Sequence, residues 1–336
     1  MSEPLLALDN VSQLFRTRQG EVRAVDEVSL AIEPGQVVCL VGESGSGKTT
    51  SAKIAAGLRK PTSGAVRFVG QDIWHMDRNQ FRAYRRAVQY IHQDPYASLN
   101  PIHTVLDTVA TPLRHHGLVH GNAAALQRAS ELLVKVDLTP PENFLLKYPH
   151  QLSGGQRQRV SVARALTLNP QLIAADEATS MLDVSIRVSL LNMLKRLSTE
   201  LGVGFLFITH DLAIAKYFAW SGHIAVMYLG RIVEYGPTPA IINAPRHPYT
   251  RALLSAIPEP DPDLTRQRDR LQLRGVDVAS LLHVPSGCSF HPRCPLFEQG
   301  LCDRLRPDLA AIETRRAVAC HVVAREQAER AQMVAS

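Results

Sequence analysis

Val37-Val38-Cys39-Leu40-Val41-Gly42-Glu43-Ser44-Gly45-Ser46-Gly47-Lys48-Thr49-Thr50 is the stretch whose reading decides the fold. Its first five residues are an apolar run with the length of a buried strand; the run breaks at Gly42, and a helical pattern resumes from Thr49 to Leu58. Between the two lies Gly-x-x-x-x-Gly-Lys-Thr, the P-loop spacing. Small residues let successive backbone N–H groups turn toward phosphate oxygens, and the helix N-terminus adds positive potential. In that geometry Lys48 reaches the β- and γ-phosphates and the Thr49 hydroxyl ligates Mg²⁺. The bland alternative is a glycine-rich turn followed by a chance Lys-Thr.

Working outward, further candidates fall where apolar runs end. Leu172-Ile173-Ala174-Ala175-Asp176-Glu177 delivers two carboxylates to the C-terminal edge of a sheet, where α/β proteins bind ligands. Asp176 suits Mg²⁺ coordination and Glu177 suits a general base for an attacking water; the alternative is a pair capping a helix. Val203 to Thr209 is another strand, with His210 at its end as a γ-phosphate contact. Gln93 closes the short strand Val88 to His92, placed to hydrogen-bond a water or a metal-bound water. Ser153-Gly154-Gly155-Gln156 opens a helix running from Arg157 to Leu168, either as an ordinary cap or as an anion-binding end. Phe15, in an antiparallel layer read over residues 5 to 35, is a candidate for stacking on adenine, against the commoner role of a core aromatic.

The rest of the chain reads more coarsely. Arg78 to Arg86 looks helical, and the two prolines in Gln93 to Pro101 should stop regular structure. Helices are expected from about 102 to 170, with Leu126, Ala129, Leu133 and Val136 on one face. Ser185 to Leu201 should be amphipathic, with Val188, Leu191, Leu194, Leu197 and Leu201 together, and residues 223 to 236 should form a hairpin.

Composition limits the function classes. The 336 residues suffice for one large and one smaller domain. Net charge is +6, from 37 Lys and Arg against 31 Asp and Glu, which suits an anionic ligand better than a nucleic acid. Arg78, Arg82, Arg85 and Arg86 read as a solvated helical face. No apolar run has the 18 or so residues that a membrane span needs, and Met1-Ser2-Glu3-Pro4 does not open a signal peptide, so a cytosolic location is expected. Five cysteines in a reducing compartment do not suggest a disulfide framework.

Together these pieces closely resemble the nucleotide-binding subunit of ATP-binding cassette (ABC) transporters. GESGSGKT at 42 to 49, Gln93 as the Q-loop, LSGGQ at 152 to 156, LIAADE at 172 to 177, the D-loop Ser180-Met181-Leu182-Asp183 and the switch His210 stand in the family's order and at its distances. The resemblance implies an α/β fold: a P-loop NTPase cassette with a RecA-like core, an antiparallel β layer and a helical subdomain at about 94 to 165. A small loop-rich C-terminal domain would follow, dividing the chain into 1–240 and 241–336. It also implies that two cassettes face each other head to tail, so that Ser153, Gly155 and Gln156 of one complete the γ-phosphate site of the other. The Q-loop and helical region would receive a coupling helix from a membrane subunit.

Asn243 to Leu254, Gly287 to Pro295, and the Gln93-Asp94-Pro95 and Ser98-Leu99-Asn100-Pro101 runs resemble oligopeptide and dipeptide uptake systems. What this implies is a peripheral subunit at the cytoplasmic face of the inner membrane, working with a second, homologous cassette subunit, two permease subunits and an extracytoplasmic solute-binding protein. Ala178, Met181 and His92 depart from the family's usual residues without removing a chemical group. A soluble ABC ATPase on ribosomes or DNA, an importer of nickel or another small solute, and a non-hydrolysing subunit are the rivals.

Cys288, Cys294, Cys302 and Cys320 form C-x5-C-x7-C-x17-C in the tail, while Cys39 should be buried and inert. Four gathered thiolates would staple a tail too small for a core of its own. The spacing suits a tetrathiolate 4Fe-4S cluster better than zinc, with unligated thiols as the third reading.

Overall fold

A computed structural model describes residues 3–18, 20–257, 271–275 and 280–335, with side chains as far as 329. In chain order its first elements are the long strands β1 (Leu6–Thr17) and β2 (Gly20–Ile32), then β3 (Val37–Val41) and α1 (Lys48–Ala55). β4 (Ser63–Phe68), β5 (Gln71–Asp72), α2 (Arg78–Ala87), β6 (Val88–Ile91) and α3 (Pro95–Ser98) follow. A helical stretch comes next: α4 (Val105–His115), α5 (Gly121–Lys135), α6 (Glu142–Leu145) and α7 (Gly154–Leu166). β7 (Leu172–Asp176), α8 (Val184–Leu201), β8 (Gly204–Thr209), α9 (Leu212–Phe218), β9 (His223–Tyr228) and β10 (Arg231–Pro237) complete the main sheet's run. Last are α10 (Thr238–Asn243), α11 (Pro248–Ser255), β11 (Ala310–Glu313), β12 (Arg316–Val318) and α12 (His321–Ala335).

Two sheets carry the fold. One is antiparallel, in the order β2-β1-β4-β5. The other has eight strands in the order β11-β12-β10-β9-β3-β8-β7-β6, parallel from β9 to β6 and antiparallel from β9 to β11. Side chains alternate across a strand, so a strand covered on both faces must be apolar at every position. β3 shows this: Cys39 and Val41 join Phe205 and Phe207 in the core under the helical layer, while Val38 and Leu40 join Leu206 and Ile208 in the core under the antiparallel sheet.

The C-terminal segment is joined to this body rather than set apart from it. β12 pairs with β10 through Glu234–Val318 and Tyr235–Ala317, extending the main sheet, and Phe290 and Cys294 enter the core that contains β3. Residues on both sides of position 240, Val233 and Tyr249 among them, share that core.

Local expectations fail at three places, each for a physical reason. The prolines near Gln93 do not stop structure: Pro95 takes the first position of α3, where a missing N–H costs nothing, and Asp94 caps it by accepting the Tyr96 amide at 2.7 Å. On α5 the buried stripe is Ala125, Ala129, Leu132 and Leu133, and Leu126 is 44% exposed. On α8 the stripe is Leu190, Leu191, Met193, Leu194 and Leu197, leaving Val188 and Leu201 exposed. In both helices the apolar positions outnumber those one face can bury, so spacing alone did not fix the rotation.

Candidate functional site

The parallel order β3-β8-β7-β6 brings four strand ends to one edge, and each end carries a candidate residue. The Gly42–Thr49 loop follows β3, Gln93 lies two residues past β6, Asp176 ends β7 with Glu177 next, and His210 follows β8. The loop's shape depends on glycine. A Cβ on Gly42 would sit 2.0 Å from the Met227 carbonyl oxygen; Gly47 has φ of +102° and would place a Cβ 2.0 Å from that of Ala24.

A cleft of about 390 Å³ opens there, lined by Ser44, Gly45, Gly47, Lys48, Thr49 and Thr50 together with Ala24, Gln93, Glu177 and Leu281. Lys48 is 4% exposed, and its Nζ donates to the carbonyls of Gly42 and Glu43, both at 2.8 Å. Burial lowers its pKa, an effect opposed by Glu177, Asp176 and Glu43. Ser46 Oγ is buried and has no hydrogen-bond partner.

Thr49 Oγ1 donates to Asp176 Oδ1 at 2.8 Å, and Tyr90 Oη donates to Asp176 Oδ2 at 2.7 Å. Tyr90, on β6, was not found from the sequence; burial first, then the neighbouring Asp176, raises its pKa and keeps it a donor. A hydroxyl and a carboxylate side by side are the hard oxygen donors that Mg²⁺ takes, so these residues fit that ion.

Glu177 is held from two sides. Gln93 Nε2 donates to its Oε2 at 3.0 Å, and His210 Nδ1 lies 3.2 Å from its Oε1. The backbone of Glu177 is left-handed, φ of +42°, and its N–H is tied to the Ile208 carbonyl at 3.1 Å, so the side chain leaves β7 at a fixed angle. The carboxylate is 14% exposed and the imidazole 52%.

Other expected residues lie elsewhere. Ser153 caps α7 in a reciprocal box with Gln156: Ser153 Oγ accepts the Gln156 amide at 3.3 Å and Gln156 Oε1 accepts the Ser153 amide at 3.0 Å. None of Ser153, Gly154, Gly155 and Gln156 lines this cleft, nor does Asp183, which is exposed at the start of α8. A Cβ on Gly155 would meet Ile186 at 2.6 Å. Phe15 is half-buried outside the cleft's lining, with the Arg59 guanidinium 4.9 Å from its ring centre.

All five cysteines are free. Cys39 is fully buried, and burial pushes its thiol far up. Among the described residues no three or more His, Cys, Asp or Glu side chains are arranged to hold a metal ion, so Cys288, Cys294, Cys302 and Cys320 do not form the ligand set expected of them. Burial raises Cys288 to about 11 and Cys294 to about 12. Helices among the described residues include none long and apolar enough to cross a membrane.

The chain is similar to known proteins along most of its length. The ABC transporter family profile matches residues 25–180, and the oligopeptide/dipeptide transporter C-terminal region matches 233–302. A probable peptide ABC transporter ATP-binding protein of Sinorhizobium fredii is 44% identical over 96% of this chain and 91% of its own. An oligopeptide transport ATP-binding protein of Bacillus subtilis is 40% identical over 93% of both chains. Among solved structures, the dimeric post-hydrolysis state of the ATP-binding cassette MJ0796, bound to ADP and phosphate, matches with a TM-score of 0.63 and 32% identity, covering 69% of this chain and 98% of that one.

Proposed function

The chain belongs to the ATP-binding proteins of ABC transporters, and from that premise we propose that it is the ATP-hydrolysing subunit of a di- or oligopeptide importer. The observation that carries the hydrolytic part is Glu177, fixed between Gln93 and His210 and one residue from an Asp176 that is bonded to Thr49. Such an arrangement leaves one carboxylate to hold the ion and the next to take a proton from water.

In the mechanism, the amides of Ser44, Gly45 and Gly47 to Thr50, all lining the cleft, curl around the β- and γ-phosphates of ATP. Lys48 exchanges its two carbonyl partners for phosphate oxygens, and Ser46 Oγ gains a partner. Thr49 and Asp176, with Gln93 through water, would hold Mg²⁺, which supplies neutralisation of charge on the phosphates when bound. Glu177 accepts the proton of the attacking water at a carboxylate oxygen, while Gln93 and His210 position that water against the γ-phosphate. Phe15 is the adenine-stacking residue once Arg59 moves from its face.

Ser153, Gly154, Gly155, Gln156 and Asp183 act on a second cassette. Their absence from the chain's own cleft supports this, as does the dimeric state named for MJ0796. The remaining partners are two membrane permeases and an extracytoplasmic solute-binding protein, with the subunit peripheral on the cytoplasmic face. Peptide as cargo is supported by the names of the relatives and by the match at 233–302.

Purification with its membrane partners and reconstitution in vesicles tests the reading. Phosphate release that rises when peptide-loaded binding protein is added is the expected result; copurification with ribosomes, or stimulation by nickel but no peptide, would replace it.

A thiolate-held centre, 4Fe-4S or zinc, at Cys288, Cys294, Cys302 and Cys320 remains a separate proposal. Its support is the C-x5-C-x7-C-x17-C spacing; among the described residues no three of these side chains are arranged to hold an ion.

A further inference from the structure

Glu43, the second residue of the P-loop, is gripped by the far end of the chain. Its amide donates to Tyr249 Oη at 2.9 Å, and Arg293 Nη1 donates to Oε1 at 3.1 Å and Oε2 at 3.3 Å. Its carbonyl accepts from Lys48 at 2.8 Å, so every polar group of the residue is taken. Leu281, also from the C-terminal segment, closes one wall of the same cleft.

The gripping residues are themselves fixed. Tyr249 and Phe290 are each 1% exposed and pack with Tyr228 at ring separations of 4.6 and 5.3 Å. Arg293 has a side chain 11% exposed, its guanidinium lies 5.6 Å from the Phe290 ring, and its backbone is tied to Phe290 and Arg274. A rigid donor and a rigid acceptor on one loop residue fix the peptide plane from which the phosphate-facing amides follow. Arg293 also neutralises a carboxylate that would otherwise stand unpaired next to a polyanion.

We propose that Arg293 and Tyr249 are positioning residues for nucleotide binding, and that the C-terminal segment is a clamp on which the P-loop's affinity for ATP depends. The proposal rests on the nucleotide-binding reading above. It makes a distinctive demand: because the harm in losing Arg293 comes from a stranded Glu43 carboxylate, removing that charge as well should undo most of it.

The test uses the full chain, titrating a fluorescent ATP analogue with Mg²⁺ and measuring phosphate release for wild type, Arg293→Met, Glu43→Gln, the double variant and Tyr249→Phe. Arg293→Met is expected to weaken nucleotide affinity and raise KM about tenfold while kcat changes less than about twofold. The double variant should return to within about threefold of wild type, as should Glu43→Gln alone. Tyr249→Phe, which keeps the ring and its packing, should raise KM about threefold at constant kcat. An Arg293→Met protein with wild-type affinity, or a double variant no better than Arg293→Met, overturns the proposal. Should Arg293→Met not fold, Tyr249→Phe decides alone, and wild-type affinity there overturns it. A wild-type chain that binds no nucleotide would remove the parent reading instead.

Discussion

His247 makes acid costly to this fold. It is 1% exposed, its Nδ1 accepts the Tyr249 amide at 3.0 Å at the start of α11, and its own amide donates to the buried Glu234 at 2.9 Å. Burial depresses its pKa from 6.5 to about 3, with Arg251 acting in the same direction and the Ala319 carbonyl opposing. The unfolded chain therefore takes up a proton near pH 6.5 that the native chain refuses until about pH 3, so stability is intact above 6.5 and is lost progressively as pH falls through that window. Each unit costs about 1.4 kcal/mol, so moving from neutral pH to about pH 5 costs about 2 kcal/mol from this residue alone. His247→Asn keeps a side-chain oxygen to cap Tyr249 and removes the titration. Urea midpoints for both proteins at about pH 7.5 and about pH 5 give four stabilities, and the wild-type drop should exceed the variant's by about 2 kcal/mol. His223 and His92, whose pKa values burial also lowers, are present in both proteins and cancel. Equal drops in the two proteins would refute the argument. Because His247 caps the helix that carries Tyr249, the same acid loss reaches the grip on Glu43.

Two further outcomes follow from buried groups. Glu234 is fully buried and accepts from Arg246 N, His247 N and Arg316, whose side chain is 3% exposed; Arg316→Met strands the carboxylate and should cost about 3–5 kcal/mol in urea unfolding, with Glu234→Gln added to it restoring part of the loss. Anaerobically purified protein should settle the thiols: about four irons and four acid-labile sulfides per chain, lost on Cys294→Ser, or else one zinc, would establish a centre, and metal-free protein would leave four ordinary thiols.

The candidate nucleotide site was legible in the sequence because its chemistry is local. Phosphate needs consecutive amides, so Gly42 to Thr49 is contiguous, and strand ends must carry Asp176, Glu177 and His210 whatever lies between them. Residues that support the site obey no such rule. Tyr90 reaches Asp176 across 86 positions, Tyr249 reaches Glu43 across 206 and Arg293 across 250, so only the folded chain reveals them. The cysteine spacing pointed to a ligand set, but spacing does not aim side chains, and the described residues hold no such set. The pairing of β12 with β10, which ties the C-terminal segment to the main sheet, leaves no sign in composition.

Steady-state phosphate release by wild type and Glu177→Gln, with ATP binding measured on the same preparations, tests the central claim most directly. The geometry predicts that the variant binds Mg²⁺-ATP like wild type and hydrolyses it about 100- to 10,000-fold more slowly, the usual contribution of a placed general base. A Glu177→Gln protein that hydrolyses ATP at the wild-type rate would contradict it.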